Sequence, residues 1–293
     1  IQALMPALLQ ELRHNKILRQ KLFQVEFLST LAGETLVTLI YHRKLDEVWQ
    51  SEAIDLSNRL AVKLVGRSRK QKLVPGEDYV TEELPVAGDT YLYRQYEQSF
   101  TQPNAAVNIR MIEWAMEAAE ALPGDLLELY CGNGNFTLPL ARQFNRVIAT
   151  ELSKVSTRAA RHNLSANSIS NVEIIRLAAE EVVQAMAGER EFRRLRELRQ
   201  PLADYQLETV FVDPPRAGLD QSTLAMVKEF PTVIYISCNP ITLADNLSTL
   251  TISHRVTRFA LFDQFPYTHH MECGVLLERR RGHETTDHRL EED

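Results

Sequence analysis

Apolar positions along this chain follow two rhythms, and the change between them falls near Pro103. Ahead of it, residues 3–12 carry a short helical spacing. Residues 22–31 and 34–42 alternate in polarity on either side of Ala32-Gly33, as the arms of a hairpin do. Residues 47–60 read as an amphipathic helix and 62–66 as a further strand, so the chain opens with a small α+β unit. Beyond Pro103 a long helix over 105–122 leads through Pro123-Gly124 into strand–helix alternation. Strands are predicted at 126–130, 147–150, 172–177, 207–212 and 233–237, with helices at 136–143, 154–167, 179–186, after Gly218 and at 241–250. Short apolar strands separated by helices imply a parallel sheet wrapped by helices. Strands at 256–262 and 273–277 are joined by a short loop, which requires the last to run antiparallel. Residues 188–201 read as a charged insertion.

The chain has 293 residues, enough for two domains, with cuts expected at 1–98 and 99–278 and a charged, disordered tail at 279–293. At 44% apolar and 25% charged the composition is that of an ordinary globular protein. No apolar run approaches the roughly 18 residues of a membrane span. The opening IQALMPALLQ lacks the basic start and cleavage site of a signal peptide, and Ile1 is not an initiator. A longer gene product, with part of its N-terminal structure ahead of Ile1, is therefore expected. Cys131, Cys238 and Cys273 show no Cys-x-x-Cys spacing, which argues against a disulfide framework and a thiolate metal or iron–sulfur site. A monomer in the reducing cytoplasm, without metal, is the expectation.

The net charge of −6 hides an uneven distribution. Residues 1–72 carry 12 Lys/Arg against 7 Asp/Glu, most tightly at Arg67-Ser68-Arg69-Lys70-Gln71-Lys72. A second basic run holds Arg190, Arg193, Arg194, Arg196 and Arg199. Phosphate binding needs a local positive surface, not a positive total, and a solvated helix face is the competing explanation. Of the two clusters, 67–72 is the favoured phosphate contact.

In a parallel sheet of this kind, ligands sit beyond the carboxyl ends of the strands. The first strand there ends in Glu128-Leu129-Tyr130-Cys131-Gly132-Asn133-Gly134-Asn135, and the second in Glu151, 19 positions after Gly132. Closely spaced glycines let a ligand approach the backbone, and an acid at the second strand end suits a ribose diol. The turn is not G-x-G-x-x-G and no phosphate-binding Lys follows, so S-adenosylmethionine fits better than a pyrophosphate ligand. The fourth strand ends in Asp213-Pro214-Pro215-Arg216, which holds the Asp213 carboxylate at the sheet edge, a helix-capping Asp being the lesser alternative. The fifth ends in Ser237-Cys238-Asn239-Pro240, where a capping Asn and a first-turn Pro put Cys238 at a helix N-terminus that favours thiolate. Glu272 opens the otherwise apolar last strand at the same edge. His269 and His270 are adjacent and point apart, which disfavours a metal.

A thiolate, a carboxylate and a methyl donor together suit methylation of a pyrimidine carbon 5. That carbon is too weak a nucleophile until a thiolate adds at carbon 6, and a base must afterwards remove its proton. Cys238 and Glu272 fit these roles, acting on an unpaired or flipped-out base such as RNA loops supply.

Five stretches in order now carry a family resemblance: Ser99-Phe100-Thr101-Gln102-Pro103-Asn104, residues 127–135, Phe211-Val212-Asp213-Pro214-Pro215-Arg216, Ile236-Ser237-Cys238-Asn239-Pro240 and residues 262–274. With them the chain resembles the bacterial tRNA (uracil-5-)-methyltransferases, within the wider RNA 5-methyluridine methyltransferase family. The resemblance implies a Rossmann-like class I S-adenosylmethionine-dependent methyltransferase domain with a seven-stranded mixed sheet, beside a smaller N-terminal α+β RNA-binding domain. It implies Cys238 as nucleophile and Glu272 as proton acceptor. It also implies S-adenosylmethionine contacts from Gln102, Tyr130, Asn135, Glu151 and Asp213. The substrate it implies is the T-loop uridine of the tRNA T-arm, with transfer-messenger RNA as a similar target. Methylation of ribosomal RNA by the same chemistry is the alternative. Exocyclic amino methylation would leave Cys238 and Glu272 without a task, and a non-catalytic RNA-folding factor is a further reading.

Overall fold

A computed structural model describes residues 1–280; the expected tail falls almost wholly outside them. The chain forms two compact units. Ile1–Ile109, Gly132–Leu138 and Ser153–Ser170 make the first; Arg110–Cys131, Pro139–Leu152 and the residues from Asn171 onward make the second.

The first unit begins with helices α1 (Leu4–His14) and α2 (Lys16–Arg19), followed by β1 (Leu22–Ser29) and β2 (Thr35–Tyr41), which pair antiparallel as the alternation predicts. Helix α3 (Glu47–Leu60) is capped by Asp46, whose carboxylate accepts from the Trp49 N–H at 2.9 Å, and ends at Ala61 in the left-handed region. It carries the chain over to β3 (Lys63–Ser68), parallel to β2, and β4 (Gln71–Leu73) completes a four-stranded sheet. Trp49 lies against the bare Cα of Gly66, where a Cβ would stand 2.2 Å from the indole.

Residues 67–98, for which the sequence pattern yields no element, hold β4 and a separate two-stranded hairpin, β5 (Tyr79–Val86) and β6 (Asp89–Tyr96). Its two-residue turn is Ala87-Gly88, both with positive φ. The usual Asn-Gly signal is missing, and Pro85 and three carboxylates, Glu82, Glu83 and Asp89, blur the strand pattern. Helix α4 (Ala105–Ala118) stops short of the expected 122 because Ala121 turns left-handed ahead of Pro123.

The second unit is built on β7 (Asp125–Leu129), β8 (Val147–Thr150), β9 (Val172–Ile175), β10 (Leu207–Val212), β11 (Thr232–Ser237), β12 (His254–Phe262) and β13 (Glu272–Arg279), in the order β12-β13-β11-β10-β7-β8-β9. All neighbours are parallel except β13, which runs antiparallel to β11 and β12 and lies between them. Strands β7, β8 and β11 are buried at every position, which suits the apolar runs of β8 and β11, while β7 also buries Asp125 and Glu128. The chain also forms α5 (Thr137–Leu140), α6 (Lys154–Ala166), α7 (Ala179–Met186), α8 (Gln221–Val227) and α9 (Pro240–Leu250). Helix α5 is shorter than the predicted 136–143 because Arg142 and Gln143 bond three residues back. The insertion contains a short 3₁₀ segment, Arg193–Glu197, pinned by buried Phe192 and Leu198, and Arg194 donates to the Arg176 carbonyl at 2.8 Å beside β9.

No helix among the described residues is long and apolar enough to cross a membrane. In the centre of β13, Gly274 faces Trp114, and a Cβ there would stand 2.7 Å from the indole. Gly274→Ala should therefore cost about 1–3 kcal/mol of stability by overpacking, read as a lower urea midpoint with an unchanged slope.

Candidate active site

Ladder register brings the strand ends together. Thr150, Leu129, Val212 and Tyr235 are partners in one row across β8, β7, β10 and β11. The next row therefore holds Glu151, Tyr130, Asp213 and Ile236. Two residues above Ile236 stands Cys238, a climb of about 7 Å along the strand. Ser237 pairs with Cys273 in the antiparallel ladder, so continuing that register by one residue sets Glu272 opposite Cys238. Cys238, Glu272 and Asp213, far apart in sequence, thus meet at one edge. The intercalation of β13 is what brings in Glu272.

The Cys238 turn is built as its sequence suggests. The Asn239 side chain accepts from the Ile241 N–H at 3.1 Å, and Pro240 begins α9. Asn239 Nδ2 and the Thr242 hydroxyl both donate to the Arg216 carbonyl, at 3.1 and 3.3 Å, strapping the Asp213–Arg216 turn to the cysteine turn. The expected preference for thiolate does not follow. Burial pushes the thiol up, the Glu272 and Asp213 carboxylates push it further, and Arg216 opposes them only in part. Desolvation and two negative neighbours outweigh the helix end.

Glu272 is 3% exposed, and its Oε2 has no hydrogen-bond partner among the described residues. Burial pushes its carboxyl up to about 7, where a carboxylate can both take and release a proton near neutral pH. Asp213 is pushed up to about 8 by burial and by Glu272. It is not a helix cap: Asp220 caps α8, accepting from the Ser222 and Thr223 N–H groups, and those bonds hold it down near 2. Tyr130, in the left-handed region at φ 61°, packs its ring on the core, and burial raises its phenol to about 12.

Gln102 and Asn135 lie in the first unit. Gln102 is half-buried ahead of α4. Asn135 is locked to Asn108 by reciprocal amide bonds of 2.8 and 2.9 Å. In the same turn Gly132 has φ +58°, and a Cβ there would meet nothing within 4 Å. The open glycine face in that turn lets a ligand approach the backbone; in the second unit, a carboxylate at the end of β8 suits a diol. Sequence reasoning missed Asn108, Asn163 and Tyr93 around this turn. Asn163 on the buried stripe of α6, with Asn167 four residues on at its C-cap, was the available signal.

Of the favoured basic cluster, Arg67 and Lys72 are spent on carboxylates: Arg67 clasps buried Glu97 through two bonds of 2.6 Å, and Lys72 reaches Asp78 at 2.7 Å. Arg69 and Lys70 stand exposed at the β3–β4 turn. They line a groove of about 910 Å³ with Arg43, Lys44, Phe23 and His42. The last two rings meet with centroids 4.4 Å apart and planes tilted by 59°, and Phe23 is 63% exposed.

The order of the seven strands, with the last one inserted antiparallel, and the glycine turn after β7 define a Rossmann-like class I S-adenosylmethionine-dependent methyltransferase fold. A solved tRNA (uracil-54, C5)-methyltransferase of Pyrococcus abyssi, in complex with S-adenosyl-L-homocysteine, shares this fold at a TM-score of 0.64 and 20% identity, covering 86% of this chain and 59% of that one. Residues 1–280 match the tRNA (Uracil-5-)-methyltransferase family, and the chain belongs to it. Among curated relatives, the tRNA/tmRNA (uracil-C(5))-methyltransferase of Musicola paradisiaca is 58% identical over 285 residues, spanning 96% of this chain and 77% of the relative. The enzyme of that name from Acinetobacter baumannii is 58% identical over 279 residues, with 95% and 77% covered.

The raised carboxyl has a consequence for stability. In the fold Glu272 keeps its proton to about pH 7, whereas an unfolded Glu releases it near pH 4.3. The native state binds more protons through that window, so this residue's contribution declines as pH rises across it. Glu272→Gln should match the parent near pH 4 and exceed it by about 2–3 kcal/mol at pH 8, measured by urea unfolding at both pH values.

Proposed function

We propose that this chain transfers a methyl group from S-adenosylmethionine to carbon 5 of the T-loop uridine of tRNA, and of the similar loop of transfer-messenger RNA. The observation that carries the reading is the opposition of Cys238 and Glu272 across the β11–β13 register, with family membership naming the base. Bound S-adenosylmethionine supplies an electrophilic methyl on its sulfonium. Its contacts are assigned to Tyr130, Glu151 and Asp213 in the second unit and to Gln102 and Asn135 in the first.

Once the Cys238 thiol has given its proton to solvent, the thiolate adds to carbon 6 of the uracil. The ring's electrons make carbon 5 the nucleophile, which takes the methyl as the methyl–sulfur bond breaks and S-adenosylhomocysteine leaves. Glu272 then removes the proton from carbon 5. The carbon 6–sulfur bond breaks as the double bond re-forms, returning the thiolate. A half-buried thiol and a carboxyl near 7 are suited to this exchange. Action in the cytoplasm follows from a tRNA substrate and agrees with three free cysteines.

RNA contact is assigned to the groove at Arg69 and Lys70. Exposed cations there can meet phosphates, and the Phe23–His42 pair offers a face on which an unpaired base can stack. Reversing both charges, Arg69→Glu with Lys70→Glu, should weaken T-arm binding about tenfold or more and flatten its salt dependence, while S-adenosylhomocysteine binding stays unchanged. Unaltered RNA affinity in a filter-binding titration would remove the groove from the interface.

The chemistry is tested with a T-arm RNA carrying 5-fluorouridine at the target. Glu272 cannot remove fluorine as a proton, so the methylated base should stay on Cys238 as a denaturation-resistant protein–RNA band. Cys238→Ala should abolish it. Absence of a band with RNA demonstrably bound would refute the cysteine route.

A further inference from the structure

The hairpin β5–β6 has only two strands, and Asn163 of α6 and Asn167 at its C-cap meet β6 where a third would lie. Asn167 accepts from the Leu92 N–H at 2.9 Å and donates to the Leu92 carbonyl at 2.8 Å. Asn163 accepts from the Arg94 N–H at 2.8 Å. Alternate residues of a strand lie about 6.7 Å apart and residues four apart on a helix about 6 Å, so the two spacings match.

The same constellation continues into the glycine turn. Asn163, wholly buried, donates from Nδ2 to the Asn133 carbonyl at 2.9 Å. Tyr93, between Leu92 and Arg94 on β6 and 1% exposed, donates its hydroxyl to the Asn135 carbonyl at 2.9 Å. The carbonyls on either side of Gly134 are therefore both anchored by side chains. Gly132 and Gly134 both hold positive φ, at +58° and +88°, and glycine has the most backbone freedom to lose on ordering.

We propose that Tyr93 and Asn163 are positioning residues for the methyl donor: they anchor the carbonyls of Asn135 and Asn133, on either side of Gly134, and so present the open face of the turn to the cofactor before it binds. This rests on the reading of residues 132–135 as the cofactor turn. Without the two anchors the glycines sample other conformations, and cofactor binding must itself order them. The role is distinct from docking β6, which Asn167 and the Arg94 bond to Asn163 accomplish without touching the turn.

Tyr93→Phe removes one hydroxyl and nothing else, and Asn163→Asp keeps an acceptor for Arg94 while setting a carboxyl oxygen against the Asn133 carbonyl in place of the donor. Each should raise the dissociation constant of S-adenosylhomocysteine, by isothermal titration, about fivefold to tenfold. KM for S-adenosylmethionine should rise with kcat largely retained. T-arm RNA affinity without cofactor should stay near the parent value, and the thermal midpoint should fall only by the several degrees that losing one buried hydrogen bond produces. Unchanged S-adenosylhomocysteine affinity in the folded variants would overturn the proposal. So would parallel loss of RNA affinity, cofactor affinity and thermal stability, or failure of both variants to fold, since each makes the residues merely structural. Asn135→Ala and Glu151→Ala separate the two readings. If neither weakens S-adenosylhomocysteine, the cofactor assignment itself fails; if they weaken it and Tyr93→Phe and Asn163→Asp do not, only the positioning role fails.

Discussion

The candidate chemistry depends on one pairing, the antiparallel ladder that holds β13 between β11 and β12. Its register, Ser237 against Cys273, sets a carboxylate from the start of one strand opposite a thiol from the end of another. A slip of one residue would turn Glu272 to the opposite face of the sheet. Two features oppose such a slip. Strand β11 is buried at every position, and Gly274 meets Trp114 too closely for any side chain.

Bringing these groups together has an electrostatic cost that the site uses. Asp213, Glu272 and Cys238 are all acids withdrawn from water; burial makes each ionise less readily, and Glu272 raises Asp213 and Cys238 further. The resting site therefore holds protons that solvent-exposed groups of the same kind would have released. Arg216 is the positive group acting on the thiol, and its backbone is tied to the cysteine turn through Asn239 and Thr242. A thiol that resists ionisation until a substrate changes its surroundings is protected from adventitious alkylation and oxidation.

The first unit manages a different problem, that of holding polar and charged groups in fixed places. Glu97 is buried and neutralises Arg67 and Lys72, leaving the turn at Arg69 and Lys70 to face solvent. Asn163 of α6 and Asn167 at its C-cap satisfy backbone groups of β6 that a third strand would otherwise take. Side-chain amides suit this task because each carries a donor and an acceptor at once.

Much of this was legible in the order of residues. Apolar runs and breakers located every strand of the large sheet and required β13 to run antiparallel, because local period and short loops are properties of the chain itself. The thiol, the acids and the glycine turn were visible for the same reason, since strand ends follow from strands. The hairpin at 79–96 escaped notice because Ala87-Gly88 is a weak turn signal and charged residues interrupt its alternation. Charge counting favoured all of 67–72, whereas Glu97, 30 residues from Arg67, decides which cations remain exposed. The protonation of Cys238 also lay beyond the sequence. A helix N-terminus is a local feature and can be read from Asn239-Pro240, but desolvation and the approach of Glu272 and Asp213 exist only once distant strands are packed side by side.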